Sequence, residues 1–239
     1  MSILRTTIKN GSLKEHYQRG SLRLIDLPVE YGSKLAKDDN RFFAYLSTLG
    51  GGLVDGDDYL QKFNIINSDA TLSSQSNQKI YKGSSRLKTV VLLDERSRLL
   101  FYNHANIFYE ESNLDSKVAI FYKKGARLFY LDGGFIGYAN AKCRARMSLR
   151  IYENYRLKLN DLFWYKERLN LNGFFDYDYF YAIIIICNEF EIPEVNERNL
   201  KAFSSRIDNL TMIRVASNNN DIAMSYIDEI KMKFIKESR

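Results

Sequence analysis

Few residues among the 239 of this chain are equipped for chemistry. The only histidines are His16 and His104, and the only cysteines Cys143 and Cys187. None stands in a Gly-x-Ser-x-Gly elbow, a His-Glu-x-x-His pair or a phosphate-cradling Gly-x-x-x-x-Gly-Lys loop. His16, flanked by Glu15 and Tyr17, reads as a surface residue. His104, between Asn103 and Ala105, reads as a hydrogen-bonded loop residue, with metal ligation as the alternative. The two cysteines sit far apart in strand-like runs and read as core thiols rather than a disulfide. These groups support no enzyme. The carboxylates offer more. Asp55, Asp57 and Asp58 could present oxygens to a hard divalent ion, but they lack the spacing of an EF-hand loop, so turn roles are expected. Asp132 follows the apolar run Leu128–Leu131, where a carboxylate is costly unless paired, hydrated or exposed. Lys142, Arg144 and Arg146 alternate, as do Arg156 and Lys158 across Glu153-Asn154. Alternation puts each set on one face of a hairpin, forming a basic stripe that is either solvated or docked on an acidic protein surface.

The elements that must position these residues are organised around two stretches. The first runs Leu49-Gly50-Gly51-Gly52-Leu53-Val54-Asp55-Gly56-Asp57-Asp58-Tyr59. After a short strand comes the second, Thr71-Leu72-Ser73-Ser74-Gln75-Ser76-Asn77-Gln78-Lys79-Ile80-Tyr81. So many glycines and aspartates describe a backbone that turns tightly twice, and at least one of Gly51, Gly52 and Gly56 is expected at positive φ. Strands are predicted at Ser21–Pro28, Phe42–Ser47, Leu60–Ile66, Lys79–Lys82, Lys88–Leu93, Leu99–Tyr102, Val118–Tyr122 and Ala126–Leu131. Ala141–Tyr152 and Arg156–Arg168 form a hairpin. Phe180–Cys187 is a fully buried strand, and Thr211–Ala216 a short one. Helices are predicted at Asn196–Ile207, with Leu200, Phe203 and Ile207 on one side, and at Asp221–Lys236, with Ile222, Tyr226, Ile230 and Phe234 as its apolar stripe. No linker divides the chain, so residues 1–239 read as one domain. No fixed internal period is visible.

The formal net charge of +6 and pI near 9.1 favour acidic partners. No RNP, zinc-knuckle or helix-turn-helix signature accompanies them, so no nucleic-acid partner is expected. The longest apolar run, Tyr179–Cys187, falls short of the ~20 residues that cross a bilayer, so no membrane partner is expected either. Met1–Asn10 has no apolar core of a secretory signal, and a cytoplasmic protein is expected.

The two stretches together resemble the urease accessory family called UreD, or UreH in some bacteria. The carrying residues are Gly51-Gly52-Leu53-Val54-x-Gly56-Asp57 and, about twenty residues on, Ser73/Ser74 with Gln75, Ser76, Lys79 and Tyr81. Ala126-Arg127-Leu128 before Asp132, Gly137, and Lys166-Glu167-Arg168-Leu169 extend the likeness. Tyr138 stands where the family usually has arginine, and Cys143 where an acidic residue is common. The resemblance implies a mainly β fold of irregular, β-helix-like stacked sheets with two C-terminal helices. It implies a non-catalytic scaffold and nickel-delivery chaperone acting with UreF and UreG on apo-urease, holding no tight cofactor but passing Ni²⁺ transiently. Asp132 and Glu167, with Ser74 and Ser76, are the residues it places on a hydrated nickel path. Gly51, Gly52, Gly56, Asp57, Gln75 and Lys79 would be its structural motif; the alternating Lys142, Arg144 and Arg146 are the candidate partner-docking residues. The rival is a β-helix enzyme acting on an anionic polysaccharide through Asp55, Asp57 or Asp132.

Overall fold

The computed structural model describes residues 1–28, 40–139, 142–166, 177–188 and 190–237. In chain order the strands are β1 Ser2–Lys9, β2 Ser12–Arg19, β3 Leu22–Leu27, β4 Arg41–Thr48, β5 Gly52–Leu53, β6 Asp58–Ile66, β7 Asp69–Ser74, β8 Gln78–Ile80, β9 Gly83–Leu93 and β10 Arg98–Tyr102. They continue with β11 Asn106–Phe108, β12 Ser112–Tyr122, β13 Arg127–Phe135, β14 Arg144–Glu153, β15 Arg156–Lys166, β16 Tyr179–Ile186, β17 Val195–Asn196, β18 Leu200–Ile207 and β19 Leu210–Ser217; helix α1 spans Asn220–Glu237.

From β4 to β14 the chain alternates between two stacked sheets. The first sheet runs β15-β14-β12-β9-β6-β1-β2, and the second β17-β18-β19-β16-β13-β10-β7-β4-β3. The central strands of both are parallel, as a solenoid requires. The short strands β5, β8 and β11 pair in parallel along a third side. Successive rungs place Asp58, Arg86, Asp115 and Arg146 side by side, at steps of 28, 29 and 31 residues. Corners of unequal length hide this repeat from any search for a constant period.

The strands that line the sheet interface alternate as β-structure half buried should. Leu4, Phe63, Val91, Ile120 and Ile151 meet Leu72, Leu99, Phe101 and Leu128 in the main core. A second core lies on the other side of the second sheet, where Phe129, Leu131, Ile183, Ile185 and Ile213 pack against α1. Burial on both faces is why Tyr179–Ile186 is apolar without alternation.

Three expectations need correction. The segment Asn196–Ile207 is not helical; it holds β17 and β18, antiparallel to each other and with β18 paired to β19. Leu200 and Ala202 are buried at a period of two, whereas Phe203 and Ile207 are about half exposed. The helical spacing of Leu200, Phe203 and Ile207 thus did not mark a buried face, and the fold has one C-terminal helix, not two. In α1, Ile222 is 38% exposed and the buried stripe is Ala223, Tyr226, Ile227, Ile230 and Phe234. A strict four-residue step drifts around a helix of 3.6 residues per turn, and the helix settles with Ile222 off the seam. Asn219 caps it, its side-chain oxygen accepting from the Asp221 and Ile222 amides. Finally, the β1–β2 hairpin went unpredicted because β2 is exposed almost throughout. Its signal is the Asn10-Gly11 turn, both residues at positive φ.

The two organising stretches bond to each other. Gly52 pairs with Lys79 and Leu53 with Ile80. Gly51 and Gly56 adopt φ of 70° and 80°, as expected of the motif. Gly52 serves closeness instead: a Cβ there would lie 2.5 Å from the Lys79 carbonyl oxygen. Asp57 accepts from the Val54 amide at 2.9 Å and closes a turn. Asp55 instead accepts from the Ser84 amide, 29 residues on, at 2.8 Å and so ties neighbouring corners, and Asp58 opens β6 opposite Arg86; the expected turn role holds for Asp57 alone. The Gln75 amide bonds the Leu46 carbonyl, while the Gln75 and Lys79 side chains are exposed. Gly52→Val should cost well over about 1 kcal/mol, read as a shift in the urea midpoint, because backbone rather than a flexible side chain blocks the new atoms. An unchanged midpoint would mean β5 is dispensable.

Candidate functional site

The rung spacing brings polar residues into line between the sheets. On the second sheet Leu46, Ser74, Asn103, Asp132, Ala182 and Arg214 form one transverse row, with Asn103 continuing β10 through its amide bond to the Leu131 carbonyl. Facing it on the first sheet is the row Gln61, Thr89, Val118, Leu149 and Asp161. Between the two rows lies a cavity of about 70 Å³, lined by Ser74, Ser76, Asn103, His104, Asn106 and Asp132 among others. A second, of about 30 Å³, continues from Asp132 to Asp161 and Arg214. Both have room for water; the first has hydroxyl, amide and carboxylate groups in its walls to bind it, whereas the second is walled largely by Val118, Met147, Leu149, Phe163 and Phe180.

Asp132 is the junction of the two cavities. Its carboxylate accepts from the Tyr130 hydroxyl at 3.0 Å, the Gly133 amide at 2.9 Å and the Asn106 side-chain amide at 3.2 Å. Burial raises its pKa to about 6, and those three hydrogen bonds hold it from rising further. Ser74 is half-buried, its Oγ accepting from the His104 amide at 2.7 Å. Ser76 is exposed at the cavity mouth. The His104 ring packs edge-on against Tyr102, and its pKa is lowered, first by burial and then by Lys231, so it faces the cavity as a neutral imidazole at pH 7. At the far end the Arg214 guanidinium binds the Asp161 carboxylate, tying β19 of one sheet to β15 of the other.

Three of the four path residues anticipated from sequence, Ser74, Ser76 and Asp132, line one cavity. Glu167 lies outside the described residues. His16 is a surface residue with its ring nitrogen 3.3 Å from the Thr6 hydroxyl. Cys143 is buried, with its thiol pushed up to about 12 by burial, while Cys187 is half-buried. Sequence reasoning missed Asn103, Asn106, Gln61, Thr89, Asp161 and Arg214. A signal existed: Ser74, Asn103 and Asp132 are spaced by 29 residues, the rung step itself.

Among the described residues no three His, Cys, Asp or Glu side chains converge as a metal cage. No described helix is long and apolar enough to cross a membrane. The family model described as UreD urease accessory protein matches residues 5–236. The chain belongs to the UreD urease accessory protein family. No curated protein matches it. UreD membership makes this an accessory protein of urease.

The pH behaviour of Asp132 can be checked directly. Its folded pKa lies above the unfolded value, so its contribution to stability is full below pH 4 and is lost as pH rises through about 6. Asp132→Asn removes that loss. The variant should melt higher than wild type at pH 7.5, with the gap narrower at pH 5 and closed only below about pH 4. Equal displacement at both pH values would show that Asp132 does not titrate between them.

Proposed function

We propose that this chain is a non-catalytic scaffold and nickel-delivery chaperone that works in the cytoplasm with UreF and UreG on apo-urease. The observation that carries the reading is the pair of cavities that meet at Asp132, since the one of about 70 Å³ offers hydroxyl, amide and carboxylate groups with a single imidazole beside its apolar lining. Such a set holds a borderline ion loosely enough to release it, whereas clustered thiolates and imidazoles would trap it. The passage enters near Ser76, runs by Ser74, Asn103 and His104 to Asp132, and continues toward Asp161. Ni²⁺ is cargo in this reading, never a resident cofactor. The chain carries no Gly-x-x-x-x-Gly-Lys loop, so nucleotide hydrolysis falls to a partner.

The polysaccharide-enzyme reading loses its residues. Asp57 is committed to a turn and Asp55 to the Ser84 amide, and the Asp132 carboxylate lies between the sheets, bonded to Tyr130, Gly133 and Asn106. The test is reconstitution of apo-urease with nickel, bicarbonate, UreF and UreG, with and without this chain. Urease activity should require the chain; equal activity without it would reject the proposal.

A further inference from the structure

The outward face of the first sheet has no part in the passage, and its charge is one-sided. Strand register places Arg5, Lys62 and Arg150 in one transverse row and Arg19, Lys88 and Lys117 in the next. Arg86 and Arg146 follow in a third row, Arg144 and Lys166 in a fourth, and Lys9 lies at the end of β1. Glu15, Asp58 and Asp115 are the acids of the same face. Eleven bases against three acids exceed the +6 of the whole chain, so the rest of the molecule is net acidic. A face kept soluble by charge alone would mix its signs.

Some of this charge is already used. Arg86 pairs with Asp58 at 3.3 Å, and Asp115 takes both Arg146 and Lys117. Lys142, at the rim, pairs with Glu110 at 2.7 Å and is held there rather than on the face. Arg5, Lys62 and Lys88 are exposed and meet no carboxylate among the described residues. Helix α1 packs on β16 and β19 of the other sheet, and leaves this one uncovered. Beside the basic rows, on the outermost strand β15, Trp164 and Leu162 stand 58% and 51% exposed. Trp164 is the only tryptophan of the chain. An exposed tryptophan flanked by arginine is what protein interfaces use as an anchor.

We infer that the outward face of the first sheet, from Arg5 through Lys62 and Lys88 to Arg146 and Trp164, docks an acidic protein surface. Charge supplies steering and register, and Trp164 with Leu162 supply the apolar anchor. A polyanion offers little apolar surface for the exposed Leu162 beside Trp164 to bury, so the pair favours a protein partner. The inference rests on the accessory-protein reading above, but not on the metal path.

The test is titration of purified apo-urease, UreF and UreG against the full chain, by calorimetry in 50 and 300 mM NaCl. One variant carries Arg5→Glu, Lys62→Glu and Lys88→Glu, a second Trp164→Ala, and Lys124→Glu in the β12–β13 turn is the control. Melting curves confirm the fold of each. The triple reversal should weaken binding to one partner more than tenfold and flatten its salt dependence, Trp164→Ala should weaken it severalfold, and the control should match wild type. Wild-type binding that survives both variants overturns this surface alone. A wild-type chain that binds none of the three overturns the accessory reading and the surface together. Should the reversal spare protein binding but abolish binding to a 30-mer RNA or to vesicles rich in anionic lipid, the face belongs to those polyanions and the inference fails. If the triple variant does not fold, Trp164→Ala and the salt dependence of wild type decide: no loss and no salt effect overturn it.

Discussion

Asp132→Ala should assemble with its partners yet fail to support urease activation when nickel is limiting. The carboxylate is the one anionic group at the junction of the two cavities, with Ser74 and Asn103 preceding it in the same row. Alanine leaves the Tyr130 hydroxyl, the Gly133 amide and the Asn106 amide facing a space that water can fill, so the fold should survive. What goes is the only negative charge a passing cation meets at that point. Loss of even an outer-shell partner costs about 10–100-fold in metal affinity, so on the proposed path removing the Asp132 carboxylate should raise the nickel needed for half-maximal activation at least about tenfold. Excess nickel should restore activity. Asp132→Asn, which keeps the shape and loses the charge, should behave alike. Activation by Asp132→Ala at wild-type nickel would reject the path, and failure to form the complex would make Asp132 a matter of architecture. Glu167→Ala tests the remaining residue of the proposed path by the same titration.

The largest loss of stability is expected from Phe234→Ala, at about 3–5 kcal/mol. Phe234 is fully buried, its ring 5.9 Å from that of Phe129 on the second sheet. An isolated helix of the 18 residues of α1 is marginal in water, so its order depends on this packed face. The alanine leaves a cavity that neither a sheet strand nor the helix end can collapse into. Ile230→Ala, one turn earlier, should cost about 2–5 kcal/mol by the same argument, whereas Ile222→Ala should cost far less because Ile222 is off the seam. Equilibrium urea unfolding checks all three. A loss below about 1 kcal/mol for Phe234→Ala would mean that α1 is not docked as described.

The family motif, the mainly β class and the C-terminal helix were legible in sequence because each rests on local chemistry. Glycines at positive φ declare the turn around Gly51 and Gly56; alternation declares β12 and β14; the apolar residues of α1 declare a helix. Local chemistry also misled where it stood alone. Leu200, Phe203 and Ile207 fit a helical face, but the unpaired edge of β19 was there to be satisfied, and β18 bonded to it. Chain neighbours cannot report that edge. The candidate site was half legible in the same way. Asp132 stood out as a carboxylate after an apolar run, and Ser74 and Ser76 through the motif. Their meeting in one cavity, and the presence there of Asn103, Thr89 and His104, follow from how the rungs stack. Only the tertiary structure decides that, because a solenoid whose turns take 28 to 31 residues sets its register through corner loops and core packing, neither of which has a pattern in the chain.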